Sequence, residues 1–151
     1  MKSKRTVSIA LWFVFLCYIC AVVYLVFFSR SLGVTNPLNF QANIDYSYNV
    51  VPLKEIKRFI SYLGDATYGQ MAIMNLAGNI LLFLPLGFLL PCIMRNMGFV
   101  GTMIASISCS CLIEVVQLFT KLGSFDVDDI ILNVIGALIG FIIFIVVRPL
   151  K

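Results

Sequence analysis

Four apolar runs, each close to the length of a bilayer crossing, restrict what this chain can fold into. They cover about residues 7–28, 72–94, 100–119 and 130–147. A hydrocarbon core of ~30 Å takes about 20 apolar residues as a helix. No water reaches that core, so each backbone N–H and C=O must be paired within its own segment, which selects helices. Glu114 is the one charge inside these runs. A mean hydropathy of +1.02 and 12% charged residues exclude an ordinary soluble domain. The reading is an all-α integral membrane protein, with residues 1–151 forming one membrane domain of four transmembrane helices.

A secretory signal peptide is the rival reading of the first run, with Lys2, Lys4 and Arg5 as its basic region. The run exceeds the usual ~7–15 residues, and no small-x-small cleavage site follows, so a retained helix is expected. The cations indicate topology. Lys2, Lys4 and Arg5 precede the first helix, Arg95 lies between the second and third, and Arg148 and Lys151 follow the fourth. Alternating spans put these sites on one side, by six Lys and Arg against five, and the positive-inside rule makes both termini cytoplasmic. The net charge of +4 is scattered over loops without an aromatic–basic platform, so no nucleic-acid partner is expected. Five cysteines, Cys17, Cys20, Cys92, Cys109 and Cys111, all fall within the spans. Without any histidine, they read as small buried hydrophobes and not as a metal or disulfide framework.

The loop over residues 29–71 then faces outward. Its early part, rich in Asn, Gly, Ser and Tyr, should be irregular, and Val50-Val51-Pro52 extended. From Leu53 to Leu63, apolar residues at 53, 56, 59, 60 and 63 share one helical face, with Lys54, Glu55, Lys57 and Arg58 opposite. Pro52 suits the first helical position and Gly64 the end. This predicts a short amphipathic helix, lying in the membrane interface or packed on the bundle by the same face. In the second span, Pro85 predicts a kink and Gly87 a close helix approach. The third carries Thr102, Ser106, Ser110 and Glu114 at steps of four, a small-polar packing stripe that Gln117 extends. The fourth carries Asn133, Gly136 and Gly140, a close-packing face.

Four of the seven acids, Glu114, Asp126, Asp128 and Asp129, cluster between residues 114 and 129. Helix rise and alternating topology set Asn75 and Asn79 in the first two turns of the second span. The same count sets Glu114 and Gln117 in the last two turns of the third, and Asp126, Asp128 and Asp129 in the loop before the fourth or in its first turn. Asn133 is one turn deeper. These positions predict a shared outward-facing acid–amide pocket. A purely structural role competes with it. Asp126 or Asp128 could cap the last helix, and intramembrane Asn often only bonds a neighbouring helix. Glu114 is harder to explain that way, since a carboxylate at its depth needs a partner or a proton. Such a pocket could hold Mg²⁺ or Ca²⁺ through oxygen ligands, an ammonium group or sugar hydroxyls. No nucleophile–base pair and no phosphate loop is visible, so catalytic residues and any cofactor are left unassigned.

The stretches Asn79-Ile-Leu-Leu-Phe-Leu-Pro85-Leu-Gly87-Phe-Leu-Leu-Pro91, Glu114-Val-Val-Gln117-Leu and Ser124-Phe-Asp126-Val-Asp128-Asp129-Ile-Ile-Leu-Asn133-Val-Ile-Gly136 resemble the VanZ-like family, named for a teicoplanin-resistance membrane protein. Asn49-Val-Val-Pro52-Leu and Arg30 match more loosely. The family often has an Arg shortly before Ser-Phe-Asp, where this chain has Leu122-Gly123, with Lys121 the nearest cation. The resemblance implies a membrane protein of Gram-positive-type bacteria. In some members of the family it implies lowered susceptibility to lipoglycopeptides. Asn79, Glu114, Gln117, Asp126, Asp128, Asp129 and Asn133 are the candidate ligand-binding residues. Candidate partners are membrane lipid, a lipid-linked cell-wall precursor or the glycopeptide itself. A metal-dependent enzyme acting on a lipid-linked substrate and a small transporter titrating Glu114 are the rival readings.

Overall fold

The computed structural model describes residues 2–28, 48–94, 96–120 and 124–148. Helix α1 (Lys2–Val23) continues into a π-helical turn, Tyr24–Phe28. A two-residue strand β1 (Tyr48–Asn49) precedes the short helix α2 (Lys54–Tyr62). Helices α3 (Gly69–Ile93) and α4 (Phe99–Thr120) follow. Strand β2 (Phe125–Asp126) then leads directly into α5 (Val127–Val147). Among the described residues, helices α1, α3, α4 and α5 are the four that are long and apolar enough to cross a membrane. The chain is therefore a multi-pass, all-α membrane protein, as its apolar runs require.

Glycine sets how the helices meet. A Cβ on Gly136 would overlap the Ile80 carbonyl, one on Gly140 the Leu84 carbonyl, and one on Gly87 the backbone of Ala137. Backbone thus lies on backbone, the contact that drives association where lipid offers no hydrophobic gain. The pairs Ile80–Gly136 and Leu84–Gly140 ascend together, so α3 and α5 run parallel. Phe83, Leu86, Leu90 and Ala137 fill the buried centre. Helix α4 packs antiparallel to α5, and Thr102, Ser106 and Ser110 on its inner face have no exposure. The Thr102 hydroxyl donates to Gly98 O (3.0 Å) and that of Ser106 to Thr102 O (2.8 Å). These two hydroxyls are satisfied by carbonyls one turn earlier, so this part of the stripe acts mainly as thin packing surface.

Helix α1 is peripheral. It lies against α3, burying Val22, with most of its large side chains turned outward. The Tyr18 hydroxyl anchors it by donating to Leu82 O (2.8 Å). That carbonyl lies three residues before Pro85, where the missing N–H and the ring disturb the helix ladder and leave carbonyls open to other donors. Helix α3 itself runs through Pro85 and Pro91 without a break in assignment.

Several boundaries differ from the expected ones. Lys2, Lys4 and Arg5 are inside α1 and not ahead of it, because backbone bonding continues beyond the apolar stretch. Helix α3 starts at Gly69, so Asn79 lies ten residues in, nearly three turns from its start. Pro52 is outside α2. Leu53 takes the N-cap position with φ 66°, a left-handed conformation that Cβ makes costly by about 1–2 kcal/mol. The irregular stretch expected before Tyr48, Arg30 and the Lys121–Gly123 turn lie outside the described residues.

Candidate functional site

Each predicted acid sits at the same end of the bundle, where α3 and α5 begin and α4 ends. Asp126 has extended backbone (φ −134°, ψ 117°) and caps α5, its carboxylate accepting from Asp128 N. That distance is 2.8 Å, and the same Oδ1 accepts from Asn49 Nδ2 at 2.9 Å. The backbone N–H of Asp126 donates to Glu114 Oε2 (2.8 Å). Glu114 is 2% exposed, and this N–H supplies the partner that its depth demands. Asp129 accepts from Asn79 Nδ2 at 2.6 Å, tying α5 to α3.

Asp128, 1% exposed, reaches away from α5 to α2. Its Oδ1 accepts from Leu53 N (2.5 Å), and its Oδ2 from Glu55 N (2.6 Å) and Ile56 N (3.1 Å). The first turn of any helix leaves N–H groups without intrahelical partners, and a carboxylate there also faces the positive end of the dipole. The left-handed turn at Leu53 aims three such groups at one side chain. The strain at that residue is offset by charge-assisted bonds, worth about 1.5–3 kcal/mol each. Parallel pairing of β1 with β2, Tyr48 to Phe125 and Asn49 to Asp126, completes the joint.

Below the acids, Asn133 Nδ2 donates to Ser110 Oγ at 2.9 Å. Asn133 is 2% exposed, yet its Oδ1 has no hydrogen-bond partner among the described residues. Exchanging the two amide atoms would leave the nitrogen open instead, so one end of this amide is unpaired either way. Leaving it so costs about 1–3 kcal/mol. Gln117 is buried on the same face of α4.

The electrostatics bring in two residues that sequence reasoning placed on the solvent side of α2. Glu55 and Arg58 form an ion pair beside the acids. Burial lifts the Glu55 carboxyl above its usual range. Arg58 opposes that shift, while Asp126 and Asp128 add to it. Burial likewise raises Asp126. The donors from Asp128 and Asn49 and the charge of Arg58 lower it, and the charge of Asp128 raises it. Among the described residues no three His, Cys, Asp or Glu side chains come together as a metal-binding group.

The structure therefore joins Asn79 to Asp129, Glu114 to Asp126 and Asn133 to Ser110 across three helices, and sends Asp128 to α2. Asn49, Glu55 and Arg58 were not among the candidates. Asn49 did carry a signal, since it opens the Asn-Val-Val-Pro-Leu stretch. Glu55 and Arg58 carried none, because nothing local to α2 predicts that its charged side meets α5.

These features define a polytopic helical-bundle membrane protein with an acid–amide joint at one end. The chain matches the VanZ/LLP1 family model over residues 15–148 and belongs to that family. It is similar to Protein VanZ of Enterococcus faecium, with 22% identity over 123 residues. That match covers 82% of this chain and 66% of the relative, just under two thirds of the relative's length. No solved structure matches the chain.

Proposed function

We propose that the acid–amide joint is a recognition site for a cell-envelope ligand, opening away from the cytoplasm. Through it the protein would influence susceptibility to teicoplanin-type lipoglycopeptides. The ligand would be a lipid-linked wall precursor, a wall polymer or the glycopeptide, molecules rich in hydroxyl and amide donors. What carries the reading is Asn133, a buried amide with one end unpaired among the described residues, beneath Glu114 and Asp129. A fold built only for stability gains nothing from that open atom. Glu114, Gln117, Asp126, Asp129, Asn79 and Asn133 are the recognition residues. Asp128 orders the adjoining loop. Membership of the VanZ/LLP1 family supports the resistance link, and the orientation rests on the Lys and Arg distribution.

The test uses Asp129→Asn, Glu114→Gln and Asn133→Leu in a Gram-positive-type host, with membrane levels of each variant matched. Teicoplanin susceptibility and lipid co-purified with the protein, read by native mass spectrometry, are the two measurements. The reading expects susceptibility to rise and bound envelope lipid to fall in all three variants. Variants that insert normally and leave both readouts at the parental value would remove it.

A further inference from the structure

Helix α2 is fixed at both ends, yet leaves much of its apolar face uncovered. Asp128 holds its N-terminus. At the other end, the Tyr62 and Leu63 carbonyls press on Gly69, where a Cβ would sit 3.1 Å from each. The Tyr62 and Tyr68 rings lie 5.5 Å apart. Between these ends only Phe59 is fully buried against the bundle. Ile60 is 54% exposed, Leu63 45% and Leu53 44%, and Val50 and Val51 beside them are also exposed. Apolar side chains grouped this way mark a contact surface.

The arrangement of charge says what that surface meets. At 3.6 residues per turn, Leu53 and Ile60 stand nearly in line, with Lys57 about 60° around from Ile60. Lys54 and Lys57 are exposed, while Arg58 is paired with Glu55. An apolar row edged by lysines is the pattern of a helix lying on a membrane surface. Position agrees, because one end of α2 is bonded to the first turn of α5 and the other packs on the first residue of α3, both helices long and apolar enough to cross a membrane.

We infer that α2 is a membrane-surface anchor specific for anionic phospholipid of the protein's own bilayer. Leu53, Ile60 and Leu63 enter the acyl boundary. Lys54 and Lys57 bind lipid phosphates. This surface is distinct from the acid–amide joint and does not depend on its ligand.

Trp12 is the chain's single tryptophan, so Trp12→Phe combined with Ile60→Trp puts one reporter on this face. The full chain is placed in nanodiscs of phosphatidylcholine, with and without phosphatidylglycerol. The expected indole emission is blue-shifted, quenched by lipid brominated near the headgroup and little affected by acrylamide. Free quenching by acrylamide with none by brominated lipid overturns the inference. Protection from both quenchers in a dimeric species also overturns it, by assigning the face to a second copy. In the second arm, Lys54→Gln and Lys57→Gln should each lower the phosphatidylglycerol retained in native mass spectra roughly five-fold. An unchanged ratio to phosphatidylcholine overturns the lipid specificity.

Discussion

Asp128 shows how one carboxylate does several jobs that a linear reading keeps apart. It lies in the first turn of α5, where an acid is favoured by the helix dipole. Its oxygens, however, serve the N–H groups of α2, more than seventy residues earlier in the chain. In Asp128→Asn the amide nitrogen cannot accept, so two charge-assisted bonds are lost at a cost of about 3 kcal/mol. Hydrogen exchange of the α2 amides should quicken by roughly a hundredfold, because exchange follows the local opening free energy. Unchanged protection would mean that Phe59 and the packing on Gly69 hold the helix without Asp128. Asp126 gives a test in pH. Burial raises its carboxyl pKa in the folded protein. A group raised in this way contributes stability below its unfolded pKa and loses it as pH rises through the folded value. Acidification from neutrality into the carboxylate range should therefore stabilise the parent relative to Asp126→Asn. Thermal unfolding at a series of pH values reads the difference, and a slope of opposite sign would contradict the burial assignment.

At the level of elements, α3 and α5 are matched by their small residues. Gly136 and Gly140 face Ile80 and Leu84 backbone, which cannot yield as a flexible side chain can. Gly136→Ala and Gly140→Ala should each destabilise the bundle by at least about 2 kcal/mol. At Gly78 in the same α3, an added Cβ would meet nothing within 4 Å, so Gly78→Ala should be tolerated. Thermal stability in detergent, followed by size exclusion, compares the three. Equal behaviour would mean that the helices do not meet through these glycines. The helices were plain from their apolar runs, and the glycine spacing pointed to the packing face. The start of α3 at Gly69 was not plain, because its first turn is set by Asp65, whose carboxylate accepts from Thr67 N (2.7 Å) and Tyr68 N (2.9 Å). That turn is polar and carries no membrane signature.

For the molecule as a whole, the polar joint sits at one end of the apolar bundle. If both termini are cytoplasmic, α2 and the acids face outward. Gly64 has open space around a Cβ, so Gly64→Cys in a background without the native cysteines is a mild marker. A membrane-impermeant maleimide should label it in intact cells. Labelling only after permeabilisation would invert the topology and move the proposed recognition site to the cytoplasmic side. Helix α2 and the joint lie together at one end of the bundle, since Asp128 belongs to α5 and binds α2.

The sequence alone settles four membrane-crossing helices, because hydrocarbon thickness and the need to pair every backbone group leave an apolar run of this length no other stable form. It also marks the acids and amides as gathered at one level, since helix rise converts position into depth. The partners of those groups were decided only in three dimensions. That Asp128 would cap α2, that Asn49 would pair with Asp126 and that Asn133 would keep one unpaired end all depend on how close separate segments come. Hydrogen bonds act over about 3 Å, and no periodicity along the chain encodes a distance that short between residues so far apart.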